Sequence, residues 1–367
     1  MFIEQELEKR NLPELMKLNS GEKVTKENWE ERRKELVECL SENLYGYTPE
    51  APSEVRATCT GIDRWYTFGG KATAESYDIS FDTPTGEFTF PIRVVIPKNA
   101  EKPPVILHLN FKAEFPVPVE EIIDNGFALV QVRHHLITPD DNHPEDYFAS
   151  FHSGLGEKYI GNRTREDTEW GKVGMWAYAA SRVMDYLQTR TDINRDRIAI
   201  AGHSRLGKTA LWCRAQDDRF FAAMCNNGNY GGAGLIRGHK GEDIPGFLKR
   251  GSYDFFCEGW TKFSETPHSE LPFDMHFAVA ACAPGLVYVA GATNDAGMDP
   301  VSEFLSCCAA SEAYEALGYK GFVCDDEYPA VEKPMQDGRI GFHIREGGHA
   351  FSRYDWQNFM NFLKKNM

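Results

Sequence analysis

Short apolar runs alternate with longer amphipathic stretches through most of the chain. Residues 104–110 (PVILHLN) and 127–133 (FALVQVR) are near-continuous apolar runs, the pattern of strands buried on both faces. The run 197–201 (RIAIA) and the segments 221–226, 286–292 and 339–345 repeat that pattern. Between them lie helical periods at 119–125, 169–189, 209–216, 275–282, 302–317 and 355–365. In the longest of these, Trp170, Val173, Trp176, Ala177, Ala180, Val183, Met184 and Leu187 recur on one helical face. Strands alternating with helices predict an α/β fold: a mostly parallel central sheet with helices on both faces, a three-layer sandwich. In such sheets ligands bind beyond the carboxyl ends of the strands.

The first 100 residues read differently. A helix is expected at 25–44, with Thr25 as its cap, and two strands at 75–81 and 87–96 around a turn at 83–86. Residues 1–100 are therefore an N-terminal helix-and-strand addition to one domain spanning 1–367. Two stretches, 134–167 and 226–267, are long, polar and glycine-rich. Loops of that length are usually functional or disordered, and both follow strand ends, so they are the expected walls of a substrate cleft.

Candidate chemistry begins where the run 197–201 ends. Residues 202–208 read GHSRLGK and lead into a helical pattern. A strand that ends on a serine at a sharp turn before a helix is the setting of a nucleophile elbow, here with Ser204 as the nucleophile. The common pattern has glycine two residues after the serine; here Leu206 stands there and Gly207 follows. A serine hydroxyl needs a base, and the base needs a carboxylate to orient it. His349, in the glycine-rich loop after 339–345, is the expected base. His343 lies inside that strand and reads as a packed core residue. His203, next to the serine, is expected to point away from the site. Asp295, just past the strand 286–292, is the expected acid. Asp299 competes for that role, with helix capping before Pro300 as its plainer use. The order serine, aspartate, histidine is that of α/β-hydrolases. The backbone N–H of Arg205 is placed to meet an oxyanion. Arg205 and Lys208 put two cations beside the nucleophile, which suits a hydroxyl-rich or carboxylate-bearing substrate better than a lipid.

Composition narrows the partners. The net charge of −15 opposes nucleic-acid binding, and no apolar stretch reaches membrane-span length. The first residues show no basic and apolar leader, so a cytoplasmic location is expected. The nine cysteines form no C-x-x-C pair and read as free thiols. His134 and His135 could ligate a metal, but nothing nearby completes a ligand set; no metal and no cofactor are expected.

GHSRLGK followed by TALW resembles the bacterial glucuronoyl esterases, a carbohydrate esterase family of the α/β-hydrolase superfamily. The likeness continues through Trp170-Gly171, Gly231-Gly232-Ala233, Gly241-Glu242, the segment 271–276, Asp299-Pro300 and Glu303-Phe304 to His349 and Asp355-Trp356. It covers about 85–367. It implies a metal-free serine esterase that cleaves an ester between glucuronic acid on xylan and a lignin alcohol. Carried over by position, Ser204, His349 and Asp295 would form the triad, the Arg205 side chain would assist the oxyanion hole, and Lys208 and Glu242 would hold sugar hydroxyls. Three positions depart from the family pattern. Gly297 stands where many members carry a tryptophan. Residues 226–230 (NNGNY) carry no carboxylate where some members place an alternative acid. Residues 112–115 (KAEF) replace a usual glycine, asparagine, histidine run. An acetylxylan esterase or other sugar deacetylase with the same triad is the alternative reading, and a silent carbohydrate-binding homologue a third.

Overall fold

A computed structural model of the chain describes residues 2–111, 117–140, 151–161, 163–249, 253–295 and 297–367. Among these described residues nine strands form one sheet: β1 (Val55–Asp63), β2 (Ala72–Thr83), β3 (Gly86–Pro97), β4 (Val105–Asn110), β5 (Ala128–Arg133), β6 (Ile198–His203), β7 (Ala222–Asn226), β8 (Leu286–Ala292) and β9 (Ile340–Arg345). Their order is β1-β2-β3-β5-β4-β6-β7-β8-β9. From β5 to β9 every pairing is parallel, while β1, β2 and β3 add an antiparallel edge.

Both faces of the parallel strands are covered, which is why those strands are near-continuous apolar runs with only a few polar residues, such as His108 and His343, buried among them. The terminal helix Arg353–Lys365 lays Trp356, Phe359, Met360 and Leu363 over Ile106, Leu129, Ala199 and Met224, and the short helix Val119–Asp124 joins that layer through Ile122 and Ile123. On the other face, the helices Lys172–Leu187, Arg205–Gln216, His276–Ala281 and Pro300–Ala316 pack against Leu107, Val130, Ile200 and Val289. This is the expected three-layer α/β-hydrolase arrangement.

The N-terminal region departs from expectation in detail. Strand β1 went unpredicted because it is an edge strand with much of its length exposed, so its alternation is weak. The expected helix at 25–44 starts later, at Trp29, and ends in a π-turn over Ser41–Tyr45. The helix after β6 starts at Arg205, earlier than the expected 209. The expected cleft stretches are not bare loops. The first holds the helix Gly154–Ile160, with 141–150 and 162 outside the described residues; the second holds the helix Ile244–Lys249 and a helical turn at Glu258–Glu265, with 250–252 outside them. The departure noted at 112–115 also lies outside the described residues. Among the described residues no helix is long and apolar enough to cross a membrane.

Candidate active site

Strand β6 ends at His203, and the backbone turns at Ser204 with φ 57° and ψ −126°. A side-chain-bearing residue held in that region is strained and must be fixed by its surroundings. The fixing is visible. The Ser204 N–H donates to the Asn226 carbonyl at 2.8 Å, and the Lys208 N–H donates back to the Ser204 carbonyl at 3.1 Å. A Cβ on Gly202 would collide with the Leu206 carbonyl, and one on Gly207 would lie 2.9 Å from the Asn226 oxygen. The helix can therefore start at once and lean on β7. Leu206 is buried, so the glycine this turn needs is the third residue after the serine and not the second. The first N–H groups of that helix have no acceptor within it and are free to meet an anion.

The loops after β8 and β9 come together because those strands are parallel neighbours. Thr293 donates to the Arg345 carbonyl at 3.0 Å and Asn294 to that of Gly347 at 2.9 Å. This juxtaposition brings His349 to Asp295. The His349 Nδ1 donates to Asp295 Oδ2 at 2.6 Å, and Asn227 Nδ2 donates to the same oxygen at 2.7 Å. With Nδ1 donating, His349 Nε2 is left as an acceptor. Partial burial raises the Asp295 carboxyl, but the hydrogen bond from His349, its charge and the Asn227 amide outweigh that and hold it below the usual carboxylate range. The His349 side chain is 38% exposed and Asp295's is 7% exposed, so the pair sits at the mouth with its acid inward.

The other candidates sort by geometry. Asp299 caps the helix Pro300–Ala316, accepting from Ser302 N at 3.3 Å and Ser302 Oγ at 2.6 Å. His343 is fully buried between Asp355 Oδ1 (2.8 Å) and the Tyr288 hydroxyl (2.9 Å), a core residue as expected. His203 corrects the expectation that it points away: its ring packs 4.4 Å from the ring of His349. It is nevertheless spent on structure, with Nδ1 paired to Asn226 Oδ1 at 2.6 Å. Burial, and then the facing His349, push it down to about 4, so it is neutral at ordinary pH.

Arg205 pairs through Nη1 with Asp140 Oδ2, and its guanidinium lies 4.9 Å from the Phe255 ring and 5.9 Å from Phe111. Lys208 is only 2% exposed. Its Nζ donates to the carbonyls of Gly228 (2.5 Å) and Tyr230 (2.6 Å) and to Glu242 Oε2 (3.2 Å). All three ammonium donors are thus engaged. The Glu242 N–H donates to Gly297 O at 3.1 Å, which ties the glutamate to the loop that carries Asp295. A Cβ on Gly297 would touch nothing within 4 Å among the described residues.

Sequence reasoning missed the parts played by Asn227 and Asp140. The run Asn226-Asn227-Gly228-Asn229 at a strand end was a usable signal, since Asn227 and Asn229 both take positive φ there. Asp140 carries no local signal; only the fold brings it to Arg205.

A family model described as glucuronyl esterase, fungi, matches residues 79–318. The chain belongs to the glucuronoyl esterase family. A glucuronoyl esterase of Solibacter usitatus superposes with a TM-score of 0.86 at 30% identity, over 96% of this chain and 97% of that one. A CE15 glucuronoyl esterase of Teredinibacter turnerae gives 0.88 at 26% identity, over 97% and 89%. Carbohydrate esterase MZ0003, from an unknown prokaryotic organism, is 28% identical over 100% of this chain and 92% of its own length. As a glucuronoyl esterase family member, the chain is a carboxylic ester hydrolase with the α/β-hydrolase fold.

Proposed function

We propose that the chain hydrolyses esters of glucuronic acid through an acyl-enzyme on Ser204. The observation that carries this reading is the His349–Asp295 hydrogen bond at 2.6 Å, with the His349 ring packed 4.4 Å from that of His203, the residue before the strained turn at Ser204. In this reading the Ser204 hydroxyl attacks the ester carbonyl while His349 Nε2 takes its proton. Asp295, held by Asn227, keeps the imidazole in the required tautomer and balances its charge. The Arg205 backbone N–H and the exposed part of its guanidinium meet the oxyanion. His349 returns the proton to the leaving alcohol, then activates water to cleave the acyl-serine. Glu242, braced by Lys208, faces the sugar hydroxyls.

Gly297 favours one second reading. With no described residue within 4 Å of a Cβ at Gly297, the saccharide has room to supply the alcohol and an acetyl group the acyl part. A side-by-side assay separates the two: alcohol release from methyl or benzyl glucuronate against acetate release from acetylated xylan. Preference for the glucuronate esters by at least about tenfold in kcat/KM supports the first reading, and the reverse preference replaces it.

A further inference from the structure

Arg205 does not meet the substrate as a free cation. Its Nη1 is paired with a carboxylate, Asp140, whose side chain is 5% exposed, while the Arg205 side chain is 24% exposed. Asp140 is held from behind: His134 Nε2 lies 3.5 Å from the same oxygen, and His134 Nδ1 is 3.0 Å from the Asn110 carbonyl at the end of β4. Burial alone would raise the Asp140 carboxyl, yet the His134 hydrogen bond and the Arg205 charge keep it lowered, and Lys172 adds to that pull. Phe255 and Phe111 flank the guanidinium, so its position does not depend on the ion pair alone.

The reaction changes the charge of the site in two different ways. In the tetrahedral step the oxyanion forms together with the His349 imidazolium, so the site gains a dipole and no net charge. In deacylation the bond from the acyl carbon to Ser204 Oγ breaks and a bond to water oxygen forms. One water proton returns to Ser204 through His349, and the acid then loses its own proton to solvent. The product therefore adds one uncompensated negative charge beside Arg205. A fixed carboxylate at the guanidinium opposes that added charge and barely affects the balanced pair.

Resting on the esterase reading above, we propose that Asp140 is a positioning residue and built-in counter-ion. It lets Arg205 hydrogen-bond the reacting oxygen while weakening its hold on the free uronate produced. The uronate is thereby released, and neutral uronate esters are preferred over free uronic acids.

The test compares KM for methyl glucuronate with Ki for free glucuronate, in the wild-type chain and in Asp140→Asn. The asparagine oxygen can still accept from Arg205 Nη1. The expected result is a Ki about tenfold lower in the variant, with KM changed by less than about twofold. A purely structural role would move both constants together. An unchanged or higher Ki overturns the proposal. A second measurement needs no variant: in the wild type, glucuronate should inhibit about tenfold more weakly than glucuronamide, its neutral counterpart. Equal or tighter binding of the acid overturns the proposal in the same way. Failure of the wild type to hydrolyse any glucuronate ester would instead remove the functional reading, so the two failures are distinct.

Discussion

Replacing Glu303 with glutamine should make the protein more stable at high pH and leave it nearly unchanged at low pH. Glu303 is fully buried in the helix Pro300–Ala316, directly beneath the turn that follows β7. One oxygen accepts the Asn229 N–H at 3.0 Å; the other has no partner among the described residues. Burial pushes its carboxyl from 4.5 up to about 8, against the smaller opposing pulls of the Asn229 N–H and the Lys208 charge. The folded chain therefore keeps a proton that the unfolded chain releases above about pH 4.5. That contribution to stability is complete below about pH 4.5 and is lost as pH rises through about 8. One proton is worth about 1.4 kcal/mol per pH unit, so the whole window amounts to something on the order of 5 kcal/mol. Glu303→Gln keeps an oxygen for Asn229 and never ionises. Urea unfolding of both proteins from about pH 5 to about pH 9 gives the comparison. The two should agree within about 1 kcal/mol at the acid end, and the variant should lead by several kcal/mol at the basic end. A difference that stays flat with pH, or that widens as pH falls, would refute the buried neutral carboxyl.

Asn227→Ala removes one of the two donors to Asp295 Oδ2 and should lower kcat about tenfold with little change in KM, read from steady-state rates on methyl glucuronate; an unchanged kcat would remove Asn227 from the positioning of the acid. Lys208→Met strands the carbonyls of Gly228 and Tyr230 and the Glu242 carboxylate, and should cost about 3 kcal/mol in urea unfolding at neutral pH. A loss below about 1 kcal/mol would mean that Lys208 is not a structural tie.

The parallel sheet was legible because burial on both faces leaves near-continuous apolar runs, as in PVILHLN, which contains β4. The elbow was legible because glycine, serine and strand must be contiguous there. Asp295 was separable from Asp299 only in part, since a capping aspartate and an orienting aspartate look alike until β8 and β9 pair and deliver His349. Asp140 was invisible: it meets Arg205 from 65 positions away, and no pattern in one dimension encodes that contact. His203 was misjudged because alternation along β6 does not extend through the strained turn, so the ring swings against His349. Lys208 was read as a substrate cation, whereas its donors are taken up by the turn after β7; a charged residue one helical turn past a nucleophile can be a brace as readily as a ligand.

Hydrolysis of methyl glucuronate by the wild type and by Ser204→Ala, each confirmed folded by circular dichroism, bears on the whole account at once. A loss of about four to six orders of magnitude in kcat in the variant is the predicted result. Turnover in Ser204→Ala within about tenfold of wild type would contradict it, because no acyl-serine could then lie on the reaction path.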